Sequence, residues 1–331
     1  MKEVSERLVK YGLDIEVLTT DPTHELPGEE NINGVRVRRF RSWAPGEAYY
    51  LSRDLKTYLM HSRYDVVDAH NYHAFPALYA AQAKTSNRLV FTPTYHGTGH
   101  TFFRSLLHRV YKPIGRKIFE ASDIIICRSP DEMHHVISDF DVAKKVVLVP
   151  NGISHSEFVD LRKAEDRTCT RLLCVARLEK YKGIQYVIEA MSRVRINAAL
   201  DIVGVGPYRN SLVRLARRLG LSDRITFRSN LSRRDLLSLY ARANVFILLS
   251  KYEAFGIAVA EALAARTRCI VAQVPGLRHW IDDRNVFGIS YPIDVDRLAE
   301  MIVEVSEKQA DDVRLHDWDD IANKMREIYL D

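Results

Sequence analysis

The chain has 331 residues, enough for two domains with sizeable cores, and its composition is that of a globular protein. The net charge of +5 is compatible with an anionic ligand or an acidic membrane surface and singles out neither. The four cysteines form no CxxC pair, no apolar run reaches the ~18 residues of a membrane span, and "MKEVSERLVKYG" lacks the apolar stretch of a secretory signal. These features argue against a metal cluster on the cysteines and a bilayer-spanning helix, and predict a cytoplasmic protein with buried free thiols.

The chain opens with an amphipathic helix stopped at Gly12, where an α/β domain ordinarily opens with a strand. Short β-rich runs then alternate with helical patterns. Strands are predicted at 15–19, 35–40, 66–69, 89–92, 124–127 and 146–149, and in a second series at 171–176, 199–203, 225–228, 245–249 and 269–272. Helical periodicity fills 184–194, 209–219 and 235–243 between strands of the second series. Such alternation predicts parallel sheets with helices on both faces. The turn chemistry of Pro150, Asn151 and Gly152, followed by a polar stretch, marks the boundary. The reading is α/β, with two doubly wound, Rossmann-like domains facing a cleft. They span 1–150 and 151–315, and a last helix over 316–331, capped by Asp317, packs back on the first domain.

Doubly wound sheets bind ligands beyond the carboxyl ends of their strands, which makes the residues there the candidates for a site. After strand 171–176, Arg177 and Lys182 sit in the strand-to-helix loop with Gly183 before the helix. Two cations beside a helix N-terminus suit a diphosphate; they are equally consistent with solvated surface charge. Gly204 and Gly206 follow strand 199–203 and permit close backbone approach. Neither a GxGxxG nor a P-loop fingerprint is present.

The stretch "SKYEAFGIAVAEALAA" follows strand 245–249. Gly256 starts an Ala-rich helix over 257–265, Glu253 lies in the loop before it and Glu261 on its second turn. At ~1.5 Å per residue the two carboxylates serve different atoms, suiting two separated parts of one long ligand. Backbone N–H groups at Phe255, Gly256 and Ile257 lie between them. In the first half, His96 sits beside Gly97 in a strand-end loop, where a histidine is either structural or functional. His70 and His73 lack a third ligand of definite spacing, so zinc is rejected. A basic amphipathic stretch, 102–122, is either a solvated helix packed on the sheet or a membrane-surface element, and Pro113 is expected to interrupt it.

Three features occur in order: Arg177 with Lys182–Gly183, then Gly204–Gly206–Pro207, then Glu253-x7-Glu261 with Phe255–Gly256. Together with "PNGI" at 150–153 and the terminal "W…IA…IY" helix, they resemble the family-four, or group one, retaining glycosyltransferases of GT-B architecture. The match covers nearly the whole chain. The resemblance implies a metal-independent, cofactor-free transfer of sugar from a UDP-, GDP- or ADP-sugar. Arg177 and Lys182 would neutralise the donor diphosphate, and Glu261 would hold the ribose. Glu253 would contact the donor sugar, with Phe255, Gly256 and Ile257 offering backbone N–H groups. His96 would reach the reacting centre from the first domain. It also implies a lipid-linked or glycan acceptor, with peripheral contact at the inner membrane face, and no nucleic-acid partner.

Departures from the family pattern are present. The first strand and glycine-rich loop that ordinarily precede the opening helix are missing, which predicts an open sheet position and a weaker first domain. Arg266 and Arg268 stand where Gly and Pro are usual, and Asn244 replaces a usual Asp. A non-catalytic relative that binds nucleotide sugar, and a nucleotide-sugar epimerase or phosphorylase of similar build, are the alternative readings.

Overall fold

The structure is a computed structural model, and it describes residues 1–44, 50–83, 86–95, 97, 102–159, 161, 168–307 and 310–331, with the side chains of 86 and 102–110 left aside. The chain divides into two compact units, Met1–Gly152 with His316–Asp331, and Ile153–Leu315.

Among the described residues, the first unit carries two sheets, of order β1-β3-β2 and β4-β5-β6-β7. β1 (Glu16–Asp21) runs parallel to β3 (Val35–Arg41), and β2 (Glu29–Ile32) pairs antiparallel with β3. Asn33 and Gly34 join β2 to β3 with φ of 52° and 88°, the left-handed pair of a tight hairpin turn. β4 (Tyr64–His70), β5 (Ser86–Thr92), β6 (Ile124–Cys127) and β7 (Val146–Leu148) are all parallel. Their near-continuous apolar character follows from helices on both faces. On one face α1 (Lys2–Lys10) and α11 (Trp318–Leu330) bury Val4, Leu8, Ile321 and Met325 against Val90 and Ile126. On the other, Ile118 and Phe119 of α4 (Phe102–Ala121) pack with Phe91 and Ile125. Adjacent residues of β5 and β6 thus serve opposite cores, as period-two alternation requires. α2 (Arg53–His61) and α3 (Phe75–Ala83) form a smaller cluster through Leu55, Leu59 and Tyr79. α5 (Pro130–Phe140) follows β6 and is capped by Ser129.

α4 is continuous through Pro113, contrary to the sequence expectation. Pro113 is exposed, and on the solvent side of a helix water can satisfy the freed carbonyl. α11 begins with a reciprocal capping box between Asp317 and Asp320.

Asp68 on β4 anchors α11: the Tyr329 hydroxyl donates to its Oδ2 at 2.6 Å, and His70 Nε2 lies 3.2 Å away. Burial works against the carboxylate, yet His70, Tyr329 and Arg128 together hold its pKa below the usual range. A depressed carboxylate contributes stability that is complete above its unfolded pKa of ~3.9 and lost as pH falls through the lower folded value. Asp68→Asn is therefore expected to lower stability by about 1–3 kcal/mol at pH 7. The gap to wild type should close below about pH 4, as read by urea denaturation across pH.

The second unit carries a six-stranded parallel sheet of order β10-β9-β8-β11-β12-β13. Its strands are β8 (Thr170–Val175), β9 (Ala198–Val203), β10 (Ile225–Arg228), β11 (Val245–Leu248), β12 (Arg268–Ala272) and β13 (Val286–Ile289). α6 (Ile184–Met191), α7 (Arg209–Arg218) and α10 (Val295–Ser306) cover one face, burying Leu172, Cys174 and Ile247. α8 (Arg233–Arg242) and α9 (Ile257–Ala264) cover the other, burying Leu173, Phe246 and Val271. The chain winds outward from β8 through β9 to β10, then returns to β11 on the opposite side of β8. The strand order therefore reverses between β8 and β11. The described cysteines are free; Cys127, Cys174 and Cys269 are buried, and burial pushes the Cys174 thiol up to about 12.

Candidate functional site

In a doubly wound sheet the loops leaving two strands diverge at the point where the order reverses, and a crevice opens beyond their carboxyl ends. In the second unit these are the loops after β8 and β11. The β8 loop carries Arg177 and a 3-10 turn over Lys180–Lys182. The β11 loop carries Glu253, Phe255 and Gly256, and Gly256 caps α9 in a left-handed conformation, φ 77°.

The fold brings Lys182 and Glu253 together across this point. Lys182 Nζ lies 2.6 Å from Glu253 Oε1, with side chains 12% and 17% exposed. At that degree of burial, solvent screens the pair far less than a surface ion pair. The Lys251 N–H donates to the Tyr181 carbonyl at 2.8 Å, a second tie between the loops. Gly183 makes the approach possible: a Cβ there would fall 2.2 Å from the Leu249 carbonyl oxygen.

Arg177 is placed differently. Its guanidinium is 67% exposed and pairs with Glu179 at 2.9 Å. Glu261 lies on α9, 14% exposed, paired with Arg233. Arg233 also reaches Glu157 at 2.8 Å and stands at the first turn of α8, after β10. Partial burial works against the Arg233 charge, but hydrogen bonds to Glu157 and Glu261 push its pKa higher still. Beside them Tyr240 is fully buried; burial, and then the Glu261 charge, raise its hydroxyl well above the ordinary range. Each carboxylate of the Glu253-x7-Glu261 pair thus engages its own cation, Lys182 or Arg233.

Gly204 and Gly206 follow β9, and a Cβ on them would fall 2.0 Å from the Ala176 carbonyl oxygen and 2.5 Å from that of Leu178. They let the β9 loop close on the β8 loop. Phe255 is buried against Ile153, Ala260 and Trp280, and its carbonyl accepts from Trp280 Nε1 at 2.6 Å. Ile257 is the first residue of α9 and is 40% exposed. The first N–H groups of an α-helix have no intrahelical acceptor, and they carry the positive end of its dipole. His96 lies outside the described residues. Among the described residues, no three His, Cys, Asp or Glu side chains gather where they could hold a metal ion.

Sequence reasoning missed Arg233, Glu157 and Glu179. The rule that singled out Arg177, a cation in a strand-to-helix loop, applies equally to Arg233 after β10. The departures noted in the sequence are accommodated locally. The Asn244 side-chain oxygen accepts from the Arg171 N–H at 2.8 Å, an acceptor role that an aspartate would also fill. Arg266 adopts φ 57°, a conformation in which glycine is unstrained. The Arg268 guanidinium lies 5.8 Å from the Phe287 ring centroid.

This strand order, with cations and carboxylates at its reversal point, defines a doubly wound α/β unit, and the whole fold is that of the GT-B glycosyltransferases. The chain is similar over 99% of its length to sucrose-phosphate synthase from Thermosynechococcus elongatus (TM-score 0.79, 21% identity, 91% of that chain). Over 96% of both chains it is similar to Anabaena HepE in complex with UDP and glucose (TM-score 0.71, 16% identity). The pattern of the glycosyl transferases group 1 matches residues 158–326, and that of glycosyltransferase family 4 matches residues 1–157. An uncharacterized glycosyltransferase of Methanocaldococcus jannaschii is 30% identical over 99% of this chain and 92% of its own length. A GDP-mannose:cellobiosyl-diphosphopolyprenol alpha-mannosyltransferase of Komagataeibacter xylinus is 23% identical over 97% of this chain and 85% of its own. The chain belongs to the group 1, family 4 glycosyltransferases.

Proposed function

We propose that the chain moves a sugar from a nucleoside-diphosphate sugar to a lipid-linked acceptor, with retention at the anomeric carbon and without a metal ion or other cofactor. The observation that carries this reading is the part-buried Lys182–Glu253 pair at the strand-order reversal, beside the N-terminus of α9. An ammonium has three donors, and Glu253 Oε1 takes one, which leaves donors for phosphate oxygens.

The reading gives each group one task. Arg177, Lys182 and the α9 N–H groups neutralise the diphosphate. Glu253 accepts from hydroxyls of the donor sugar, and Glu261, fixed by Arg233, accepts from the ribose. Gly204 and Gly206 let the backbone approach the donor. As the bond from the anomeric carbon to the phosphate oxygen breaks, negative charge grows on that oxygen. Groups already arranged around it lower the barrier without reorganising. The acceptor hydroxyl attacks the same face, and its proton passes to the departing phosphate oxygen.

A lipid-linked acceptor is supported by two relatives whose names specify one: the Komagataeibacter enzyme, and a Mycobacterium tuberculosis phosphatidylinositol monomannoside mannosyltransferase, 27% identical over 69% of this chain. The exposed Arg116 and Lys117 on α4 suit peripheral contact with an anionic membrane.

The test is a transfer assay with UDP-, GDP- and ADP-sugars and a polyprenyl-diphosphate-linked acceptor, run with and without chelator, the product anomer read by NMR. The expected product keeps the donor's anomeric configuration at a rate the chelator leaves unchanged. An inverted product, abolition by chelator, or epimerised donor without transfer contradicts the reading.

A further inference from the structure

In the first unit the loops after β4 and β5 are joined at the carboxyl ends of their strands. The Asn71 and Tyr72 N–H groups donate to the Thr92 and Pro93 carbonyls at 2.9 and 2.7 Å. The β5 loop is held in turn from α5, by Glu132, His135 and Asp139, which the i, i+3, i+7 spacing places on one face of the helix. Glu132 is 2% exposed, and its Oε1 accepts from the Tyr95 N–H at 2.7 Å. Asp139 Oδ2 accepts from the Tyr95 hydroxyl at 2.6 Å. The His135 ring lies against Gly97, 3.5 Å from where a Cβ would stand. Just before these ties Thr94 takes φ 51°, a left-handed conformation that a β-branched residue adopts only when its surroundings impose it.

Glu132 does more than a helix end requires. The Ser129 hydroxyl caps α5 by accepting from the Glu132 N–H, and Glu132 Oε2 accepts from the Arg128 N–H at 2.7 Å, a local bond in the manner of a capping box. Its other oxygen crosses to the β5 loop, 37 residues away in the chain. We infer that Glu132 is a positioning residue: its carboxylate holds the β5 loop in the conformation that meets substrate at the carboxyl edge of the sheet. The inference rests on the transferase reading. An ionised carboxylate offers an acceptor to each N–H, whereas the protonated acid, or a glutamine, turns a donor toward one of them. Burial, only partly offset by these N–H groups and the Arg128 charge, pushes the Glu132 pKa up to about 7. Around it, burial pushes the Cys127 thiol of β6 up, and the Arg128 guanidinium donates to the Val149 carbonyl at 3.1 Å. Along α5, His135 and Asp139 face the same loop, and Lys112 of α4 pairs with Asp139 at 2.6 Å. The hold on the loop therefore tightens as pH rises through about 7. Stability runs the other way: a carboxyl whose folded pKa is raised contributes most below its unfolded value of ~4.3, and that contribution is lost as pH rises toward the folded one. A role in positioning and a role in stability thus predict opposite slopes.

The test compares the full chain with Glu132→Gln and Asp317→Ala from about pH 5.5 to about pH 8.5, by transfer kinetics, Tm and substrate-free exchange of the Tyr95 amide. Glu132→Gln stands in for the protonated acid at every pH. At about pH 8 it is expected to lower kcat about ten- to a hundredfold, with the loss in kcat rather than KM, and to speed exchange of the Tyr95 amide. Its Tm should equal or exceed that of the wild type there, because a buried charge is gone. At about pH 5.5 the two proteins should converge, since the wild type is then protonated as well. Asp317→Ala removes the cap of α11 and should lower Tm while leaving kcat unchanged. A wild-type kcat with no inflection near pH 7, a Glu132→Gln profile parallel to the wild type, or equal Tyr95 exchange in both overturns the proposal while the transferase reading stands. No transfer by the wild type with any donor and acceptor overturns that reading, and the proposal with it.

Discussion

Removing the two cations of the β8 loop together, Arg177→Ala with Lys182→Ala, is expected to weaken nucleoside-diphosphate binding by about 100-fold or more, taking about 1.5–3 kcal/mol for a hydrogen bond to a charged group. The two side chains should contribute unequally. Lys182 is held in a part-buried ion pair, so its ammonium is already oriented and little ordering entropy remains to be lost on binding. Arg177 is mostly exposed and must give up part of its pairing with Glu179 to meet a phosphate. Lys182→Ala alone should therefore account for most of the loss. It should also lower kcat by about 10²–10³-fold, the usual effect of removing one preorganised group at a developing charge. A loss confined to KM would mean that the ammonium binds donor and transition state equally.

Gly183→Ala should produce a large loss of stability in the second unit. The position needs φ 73°, which costs an L-residue about 1 kcal/mol or more. The added Cβ would also sit 2.2 Å from a backbone carbonyl oxygen at the end of β11. Relief requires the β8 loop to move away from Leu249, and with it Lys182 from Glu253. A penalty of about 3 kcal/mol or more is expected. That corresponds to a drop in Tm of roughly 6–12 °C for a unit of this size. Scanning calorimetry reads it directly, and a drop under about 2 °C would mean the two loops are not braced as described.

Much of the fold was legible because a parallel sheet covered on both faces leaves a strong pattern. Ile124–Cys127 and Ile225–Arg228 were placed to the residue, and the other predicted strands within a few residues. Two strands were missed. β2 reads "EENI", polar and partly exposed, and stands only because Asn33-Gly34 folds it back on β3; that dipeptide was the available signal. β13 carries Gly288, which weakens a strand pattern. The continuity of α4 through Pro113 was misread because the exposure that makes the proline tolerable comes from packing.

At the site, residue types at strand ends were legible and their pairing was not. Lys182 and Glu253 are 71 residues apart, and they meet because the chain reverses its strand order between β8 and β11. The Arg233 bridge to Glu261 and Glu157 likewise depends on how α8, α9 and the start of the second unit pack, which no local pattern encodes.

The most direct measurement is a calorimetric titration of UDP and of GDP into the wild-type chain and into Arg177→Ala/Lys182→Ala. The account predicts one saturable site in the wild type for at least one of the two nucleotides, and a loss of about two orders of magnitude in the double variant. No binding by the wild type, or equal binding by both proteins, would contradict it.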